Sequence, residues 1–423
     1  MNAFEKVIGY EKEKDELMQL CDIVKNSQKY RNLGVALPRS VLLHGVPGVG
    51  KTLMATALVE EMSRKSFICR KDKSNSAFVD SIRNTFVAAK ENAPSVVFLD
   101  DLDKFASDED ICNPEELIAV QSGIDAVKGF EVFIVATVND ISDLPRSLLR
   151  AGRFDRIIEI GTPNLQEAAK IIRYYLKDKK VANDVNPESV ARMLEGNSCA
   201  VLESVLNDAG IYAGYRNEAQ IHKEDIVRAV LRNVFQADEW VNDTSIEMKE
   251  EAAFHEAGHA TVALSFAPEG VGLISVRPCK SDVRGIIQLF QDKNYFGSYE
   301  RMKERVIAIL AGKAAVEIKF GRLDVGASSD IDRASGIVER FIKSYAISGF
   351  DLFYPRSRSS LISENQNDRI VAERSSMLTR FYERAKEILV KNWDFVEKLA
   401  AALVEKDALE FEEVSTLYKN YVA

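Results

Sequence analysis

Ser40-Val41-Leu42-Leu43-His44-Gly45-Val46-Pro47-Gly48-Val49-Gly50-Lys51-Thr52 decides how the first part of this chain folds. The apolar run 40–44 has the length and composition of a buried strand, and residues 53–64, beginning at Leu53, read as a helix. Between them lies G-x-x-x-x-G-K-T, in the strand-to-helix context that the motif requires. Backbone N–H groups of such a loop, with the helix N-terminus, cradle phosphates. Lys51 would reach the β- and γ-phosphates of a nucleotide and Thr52 would hold Mg²⁺. A Gly-rich turn that binds nothing is the plain alternative, and it leaves the coincidence of loop and both flanks unexplained.

Downstream segments extend this reading. A second apolar strand, Ser95-Val96-Val97-Phe98-Leu99, ends in Asp100-Asp101. A carboxylate at a strand end beside a phosphate loop suits the Mg²⁺ site, and Asp100 takes that role. Asp101 stands where an ATPase usually has a longer Glu to activate water. A misplacement of ~1 Å can cost about 100-fold in rate, so slow hydrolysis is expected unless the backbone compensates. A third strand over 132–137 leads to Asn139, placed to orient water or the γ-phosphate. The run Leu148-Leu149-Arg150-Ala151-Gly152-Arg153-Phe154-Asp155-Arg156 offers cations for transferring phosphate charge, or else a solvated basic turn.

The second half carries a different chemistry. Two of the chain's four histidines lie in His255-Glu256-Ala257-Gly258-His259. Residues 248–266 contain no Pro and are rich in Ala, Glu and Leu, which predicts a helix. At i and i+4 both imidazoles share one face and reach one metal ion, with Glu256 available as general base. A chance match on an amphipathic helix is the alternative. A third ligand is needed. Val262 and Ser265 stand where another zincin class has Gly and His, which excludes that class. With only His44 and His222 elsewhere, an Asp or Glu is expected, but spacing alone does not choose among 65 acidic residues.

At 423 residues the chain is long enough for two or three domains. Its 46% hydrophobic and 29% charged residues are ordinary for a globular protein with full cores. A net charge of -9 gives no basic field for nucleic acid, and no nucleic-acid partner is expected. Five scattered cysteines without C-x-x-C pairing suit a reducing compartment. No signal peptide is read at the N-terminus, and no apolar run reaches the ~18 residues of a membrane span. Polar residues 238–244 read as a linker and 357–368 as a mobile loop.

The loop motif, the acidic strand end, Asn139 and the Leu-Leu-Arg-x-Gly-Arg-Phe-Asp-Arg run resemble AAA+ ATPases. Joined to His-Glu-x-Gly-His, the chain resembles the FtsH family of ATP-dependent zinc metalloproteases from about Phe4 to its end. The resemblance implies an α/β P-loop AAA+ module with a helical lid, followed by a mostly α-helical zinc metalloprotease domain. The divisions expected are 1–160, 161–237 and 238–423, the lid being read from short helices over 165–176, 186–194, 199–214 and 223–234. It implies ATP, Mg²⁺ and Zn²⁺ as cofactors. Ile8 and Gly9 would begin the adenine pocket, followed by Pro47, Gly48, Val49, Gly50, Lys51, Thr52, Leu53 and Asp100 at the phosphates and Mg²⁺. Ala200, in a Gly-x-Ser-Cys-Ala run where Cys199 replaces a second Gly, would lie near the nucleotide.

A homohexamer is implied, with Arg150 and Arg153 as arginine fingers, Asn139 as sensor and Asp101 in the water-activating position. Phe78-Val79-Asp80 would match the substrate-threading pore loop, with Asp in place of Gly. Simple packing at the start of the next helix is the alternative for Phe78 and Val79. Gly326-Ala327-Ser328-Ser329-Asp330-Ile331 resembles the family's Gly-Ala-Ser-Asn-Asp-Ile, whose Asp completes the zinc site with His255 and His259. Without the resemblance, Asp330 reads as a helix N-cap. Gly285, Ile286 and Ile287 would belong to an edge strand on which extended substrate pairs. Val316 replaces an acidic residue that the family often has there. Unfolded or flexible proteins are the expected substrates. The family usually carries N-terminal membrane helices, none is read here, and a cytoplasmic location is expected unless an anchor precedes this sequence. Two other readings stay open: a zinc peptidase with weak ATPase that cuts only flexible chains, and a nucleotide-dependent chaperone or scaffold with an idle protease site.

Overall fold

The computed structural model describes residues 3–71, 75–107, 114–150, 152–237, 246–278, 285–289, 298–353 and 364–422. The expected linker at 238–244 lies outside them, as do most of the expected mobile loop at 357–368, Ala151, Cys112 and Cys279. The chain divides into two compact units, Met1–Asn183 with Leu194–His222, and Asp184–Met193 with Lys223–Ala423.

In the first unit, α1 (Glu11–Lys25) and α2 (Ser27–Arg31) precede β1 (Ser40–His44). Then come α3 (Lys51–Met62), β2 (Lys65–Cys69), α4 (Asn75–Glu91), β3 (Ser95–Leu99), α5 (Asp103–Ala106), α6 (Pro114–Ala126), β4 (Val132–Val138) and β5 (Arg156–Glu159). The five strands form one sheet in the order β2-β3-β4-β1-β5, every pair parallel. β1, β3 and β4 are buried almost end to end, which is why they read as continuous apolar runs without alternation. From β1 the chain crosses to the far edge, returns through β3 and β4, and places β5 on the other side of β1. Loops at the C-terminal ends of β1, β3 and β4 therefore meet in one crevice, where open α/β sheets bind ligands.

Four short helices follow: α7 (Leu165–Leu176), α8 (Pro187–Met193), α9 (Cys199–Tyr215) and α10 (Lys223–Asn233). α7 starts on a capping box, Asn164 with Glu167. α7 and α9 belong to the first unit, α8 and α10 to the second.

The second unit continues with α11 (Ile246–Phe266), β6 (Val271–Ser275), β7 (Ile286–Leu289), α12 (Tyr299–Phe320), α13 (Ser328–Lys343), α14 (Glu364–Lys391), α15 (Trp393–Lys406), β8 (Ala408–Glu410) and α16 (Phe411–Val422). The strands form an antiparallel sheet, β7-β6-β8, with β7 at one edge. Around it the unit is helical, as the sequence implies. α11 is not an amphipathic surface helix: residues 252–264 are buried on every face. Phe254 stacks on Trp393 at 6.0 Å and meets Phe320 edge-on at 5.9 Å, tying α11 to α15 and α12. No helix among the described residues is long and apolar enough to cross a membrane.

Candidate active sites

The crevice of the first unit is built from loop ends. Gly48 and Gly50 have φ of +82° and +97°, a region L side chains rarely adopt, so the turn before α3 requires them. Lys51 is buried; its ammonium donates to Gly45 O at 2.7 Å, Val46 O at 3.1 Å and Asn139 Oδ1 at 2.9 Å. Burial lowers its pKa, with Asp101, Asp103 and Asp100 opposing that shift. Thr52 Oγ1 donates to Asp100 Oδ1 at 3.0 Å, and Thr137 Oγ1 donates to the same oxygen at 2.8 Å. Asn139 Nδ2 in turn donates to Asp103 Oδ2 at 2.9 Å. Loop, strand-end carboxylate and the Asn139 amide thus form one hydrogen-bonded group.

Partners that sequence reading did not identify complete this group. Arg70, one residue beyond β2, donates to Asp100 Oδ2 from Nε at 2.9 Å and also from Nη2. Lys104 pairs with Asp101 Oδ2 at 2.6 Å. Asp101 itself has φ +54°, and its N–H donates to Thr137 Oγ1 at 2.9 Å. Both strand-end carboxylates therefore carry basic partners. Only the fold shows this, because Arg70 comes from a neighbouring strand end and nothing in its local sequence marks it.

The N-terminal segment and the start of α9 close over the loop. Ala200 N–H donates to Gly48 O at 3.0 Å, and a Cβ on Gly48 would stand 2.8 Å from Ala200 Cβ. Tyr10, after Ile8 and Gly9, lies 3.4 Å from Cys199 Sγ and donates to Gly161 O at 3.0 Å. Tyr10, Cys199 and Ala200 are thus brought against Gly48 and Val49 of the loop. Arg150 is exposed. Arg153 is not: it donates to Ser147 O at 3.0 Å and Asp125 Oδ2 at 3.1 Å within its own unit.

One expectation is overturned. Phe78 and Val79 are 0% and 4% exposed, lie inside α4 and pack in the core of the sheet's unit. Phe78 meets Phe105 edge-on at 5.2 Å. They are not a substrate-contacting pore loop, because a side chain closed in by its own core has no face left for substrate. The packing alternative accounts for both.

In the second unit, α11 presents His255 and His259 toward the start of α13. His255 Nε2 lies 3.0 Å from Asp330 Oδ2, His259 Nε2 lies 3.1 Å from it, and the two nitrogens are 3.1 Å apart. Asp330 is the third residue of α13, whose N-cap is Ala327, so the capping role does not apply. Its other oxygen accepts from Arg333 at 2.9 Å. Three such atoms converging this closely could hold one metal ion between them. Ligand atoms ~2.0–2.2 Å from a tetrahedral zinc stand about 3.3 Å apart, close to the spacing seen.

The rings are fixed from behind. His259 Nδ1 lies 2.8 Å from Ala308 O, which with Nδ1–H donating leaves Nε2 a lone pair. His255 Nδ1 lies 3.5 Å from Asp324 Oδ2. Burial opposes charge on His255, but Asp324 and Asp330 outweigh it and push its pKa up to about 10. Asp330 is desolvated too, yet the two imidazoles hold its carboxyl far below the usual range. Gly312 on α12 makes room for the pair, since a Cβ there would be 2.5 Å from His259 Nε2.

Glu256 is 2% exposed, and among the described residues its Oε2 has no hydrogen-bond partner. Burial raises its pKa. A buried, unpartnered carboxylate beside two imidazoles fits a proton acceptor for water. Gly285 closes over it, where a Cβ would come within 2.5 Å of Glu256 Oε1. Gly285 leads into β7, the edge strand that holds Ile286 and Ile287.

Comparisons with known proteins match both halves of the chain. Residues 41–162 match the model of the ATPase family associated with various cellular activities, and residues 243–417 match that of peptidase family M41. The chain is 30% identical over 439 residues to ATP-dependent zinc metalloprotease FtsH 2 of Thermoanaerobacter sp. (strain X514), spanning 99% of this chain and 83% of that protein. It is 29% identical over 450 residues to the FtsH of Rickettsia bellii (strain RML369-C), covering 99% and 70%. Against the Bacillus subtilis (strain 168) FtsH the figures are 29% over 449 residues, 98% and 69%.

Proposed function

The chain belongs to the FtsH family of ATP-dependent zinc metalloproteases, and from that premise we propose how its residues divide the work. It is an ATP-dependent zinc metalloendopeptidase, with ATP, Mg²⁺ and Zn²⁺ as cofactors. His255, His259 and Asp330 would hold the zinc. A bound zinc supplies Lewis acidity for the peptide carbonyl and lowers the pKa of a water. Glu256 accepts the proton of the attacking water and returns it to the leaving amine; its raised pKa suits both directions of transfer. The edge strand at Gly285, Ile286 and Ile287 pairs with extended substrate main chain to main chain. The convergence of three ligand atoms within 4.8 Å of one another, beside a buried unpartnered carboxylate, carries this reading and weighs against an idle protease site.

At the nucleotide, residues 47–53 and Ala200 surround the phosphates and base with Ile8 and Gly9. Lys51 neutralises phosphate, Thr52 and Asp100 hold Mg²⁺, Asp101 positions water and Asn139 senses the γ-phosphate. Arg150, exposed, reaches the nucleotide of a neighbouring subunit in a homohexamer, and Arg153 supports it from Ser147 and Asp125. In this reading the ring unfolds proteins and moves them to the zinc site.

A second reading of the motor has its own observations. Asp101 is one methylene shorter in reach than Glu and is tied to Lys104, and Phe78 and Val79 are core residues. The first of these favours a peptidase with slow ATP turnover, which would take chiefly flexible chains. Degradation of casein and of a stably folded protein, each with and without ATP, separates the readings, with Lys51→Ala and Glu256→Gln as controls. ATP-dependent loss of the folded substrate, absent in both variants, supports the motor. Equal casein cleavage by Lys51→Ala, with the folded protein spared throughout, supports the second reading. Cleavage by Glu256→Gln at the unaltered rate sinks the zinc-site assignment.

A further inference from the structure

We propose that Asp324 is a charged positioning residue for the metal centre, holding the first histidine in the tautomer and orientation that ligation needs. The inference rests on the zinc-site reading above and adds a residue to it. Asp324 sits in the short connection between α12 and α13. It is 6% exposed, while its neighbours Leu323 and Val325 are 80% and 83% exposed. The chain thus turns one carboxylate inward between two apolar side chains left in solvent, the reverse of what hydrophobicity alone would choose.

What the inward carboxylate meets explains the cost. Oδ2 stands 3.5 Å from His255 Nδ1, on the side of the ring opposite the Nε2 that faces Asp330 and His259. Oδ1 accepts the Gly326 N–H at 2.8 Å, which fixes the rotamer. The backbone is pinned as well: Lys313 Nζ donates to Asp324 O at 3.0 Å and pairs with Glu317 at 2.6 Å. Glu317 in turn accepts from Tyr382 OH. α12 and α14 therefore hold the connection in place behind the ring. A carboxylate facing Nδ1 at ion-pair distance favours the proton on that nitrogen, which leaves Nε2 as the lone pair and raises its basicity. The two ligand histidines are thus backed differently, His259 by the neutral carbonyl of Ala308 and His255 by a charge.

The experiment is zinc competition on the full chain against a chromophoric chelator, joined by the visible spectrum of the Co²⁺-loaded protein. Asp324→Asn keeps the size and an oxygen for the Gly326 N–H but removes the charge. Leu323→Ala perturbs the same connection without touching the ring. Asp324→Asn is expected to bind zinc about 10- to 100-fold more weakly and to shift the Co²⁺ bands, with the thermal transition of its metal-free form kept. Leu323→Ala is expected to match the unaltered protein in both. Zinc affinity of Asp324→Asn within twofold of the unaltered protein overturns the proposal while leaving the site assignment standing. An equal loss in Leu323→Ala also overturns it, by making the effect one of loop packing. Failure of the unaltered protein to bind zinc overturns the site assignment and this inference together.

Discussion

Gly312→Ala tests the metal centre through packing alone. The added Cβ would lie 2.5 Å from His259 Nε2, 2.6 Å from His259 Cε1 and 2.8 Å from His255 Cε1. Ordinary contacts begin near 3.5 Å, so about 1 Å of movement is needed. The rings have little freedom to supply it: both are buried, His259 is held on Ala308 O and His255 faces Asp324. The helices have little either, since Gly258 of α11 lies so close to α12 that its own Cβ would meet Ala311 O at 2.7 Å. Overpacking of this kind costs about 1–3 kcal/mol, and a ~1 Å displacement of reacting groups costs about 100-fold in rate. Gly312→Ala is therefore expected to lower the thermal transition, weaken zinc binding at least tenfold and reduce ATP-independent cleavage of an unstructured peptide about 100-fold. ATPase turnover should hold, as residues of the other unit carry it. Gly336→Ala is the control: no atom of the described residues outside its own turn lies within 4 Å of its Cβ, and a mid-helix Gly→Ala change stabilises by roughly 0.5–1 kcal/mol. Gly312→Ala with unaltered zinc affinity and peptide cleavage within twofold would refute the placement of α12 against the histidines.

Phe78→Ala should cost about 3–5 kcal/mol in denaturant unfolding, as a buried aromatic does; a change under ~0.5 kcal/mol, typical of exposed positions, would restore the pore-loop role. Asp101→Glu should raise ATP turnover, by up to about 100-fold if reach is the limit, and an unchanged rate removes the argument from side-chain length. In the metal-free protein, His255 has its pKa raised, so its charged form contributes stability in full below about pH 6.5 and loses it as pH climbs through about 10. Asp330, held low by the same pair, contributes above the ordinary carboxyl range, and that part is lost only on acidification through its depressed pKa. The thermal transition of chelator-treated protein should fall from pH 6.5 to 9 relative to the zinc-loaded form; parallel curves would show that the imidazole–carboxylate cluster is not the linked group.

Legibility differed with the kind of signal. Buried parallel strands are uniformly apolar, so 40–44, 95–99 and 132–137 could be read almost to the residue. β8 is three residues long and sits between two helices, too short for a period to register. α11 carries its own site motif, because i and i+4 spacing is local geometry. Asp330 could not be separated from a helix cap by spacing; the cap reading fails in the fold because Ala327, not Asp330, precedes the first turn. Phe78 and Val79 pose the same problem in reverse: an aromatic-aliphatic pair looks alike in a loop and in a core, and only burial tells them apart.

The sequence by itself determined the parts whose chemistry is local: the phosphate loop, the strand-end carboxylates, and two imidazoles with a glutamate on one helical face. Tertiary structure decided everything that depends on groups far apart in the chain. It brought Arg70 to Asp100 across 30 positions, Asp330 to His259 across 71, and Asp324 behind His255. It also set the closeness of α11 and α12, which Gly258 and Gly312 permit. The physical reason is one of range. Helical period, capping and turn chemistry act over a few residues, whereas the partner of a buried charge is chosen by whichever group packing delivers to it.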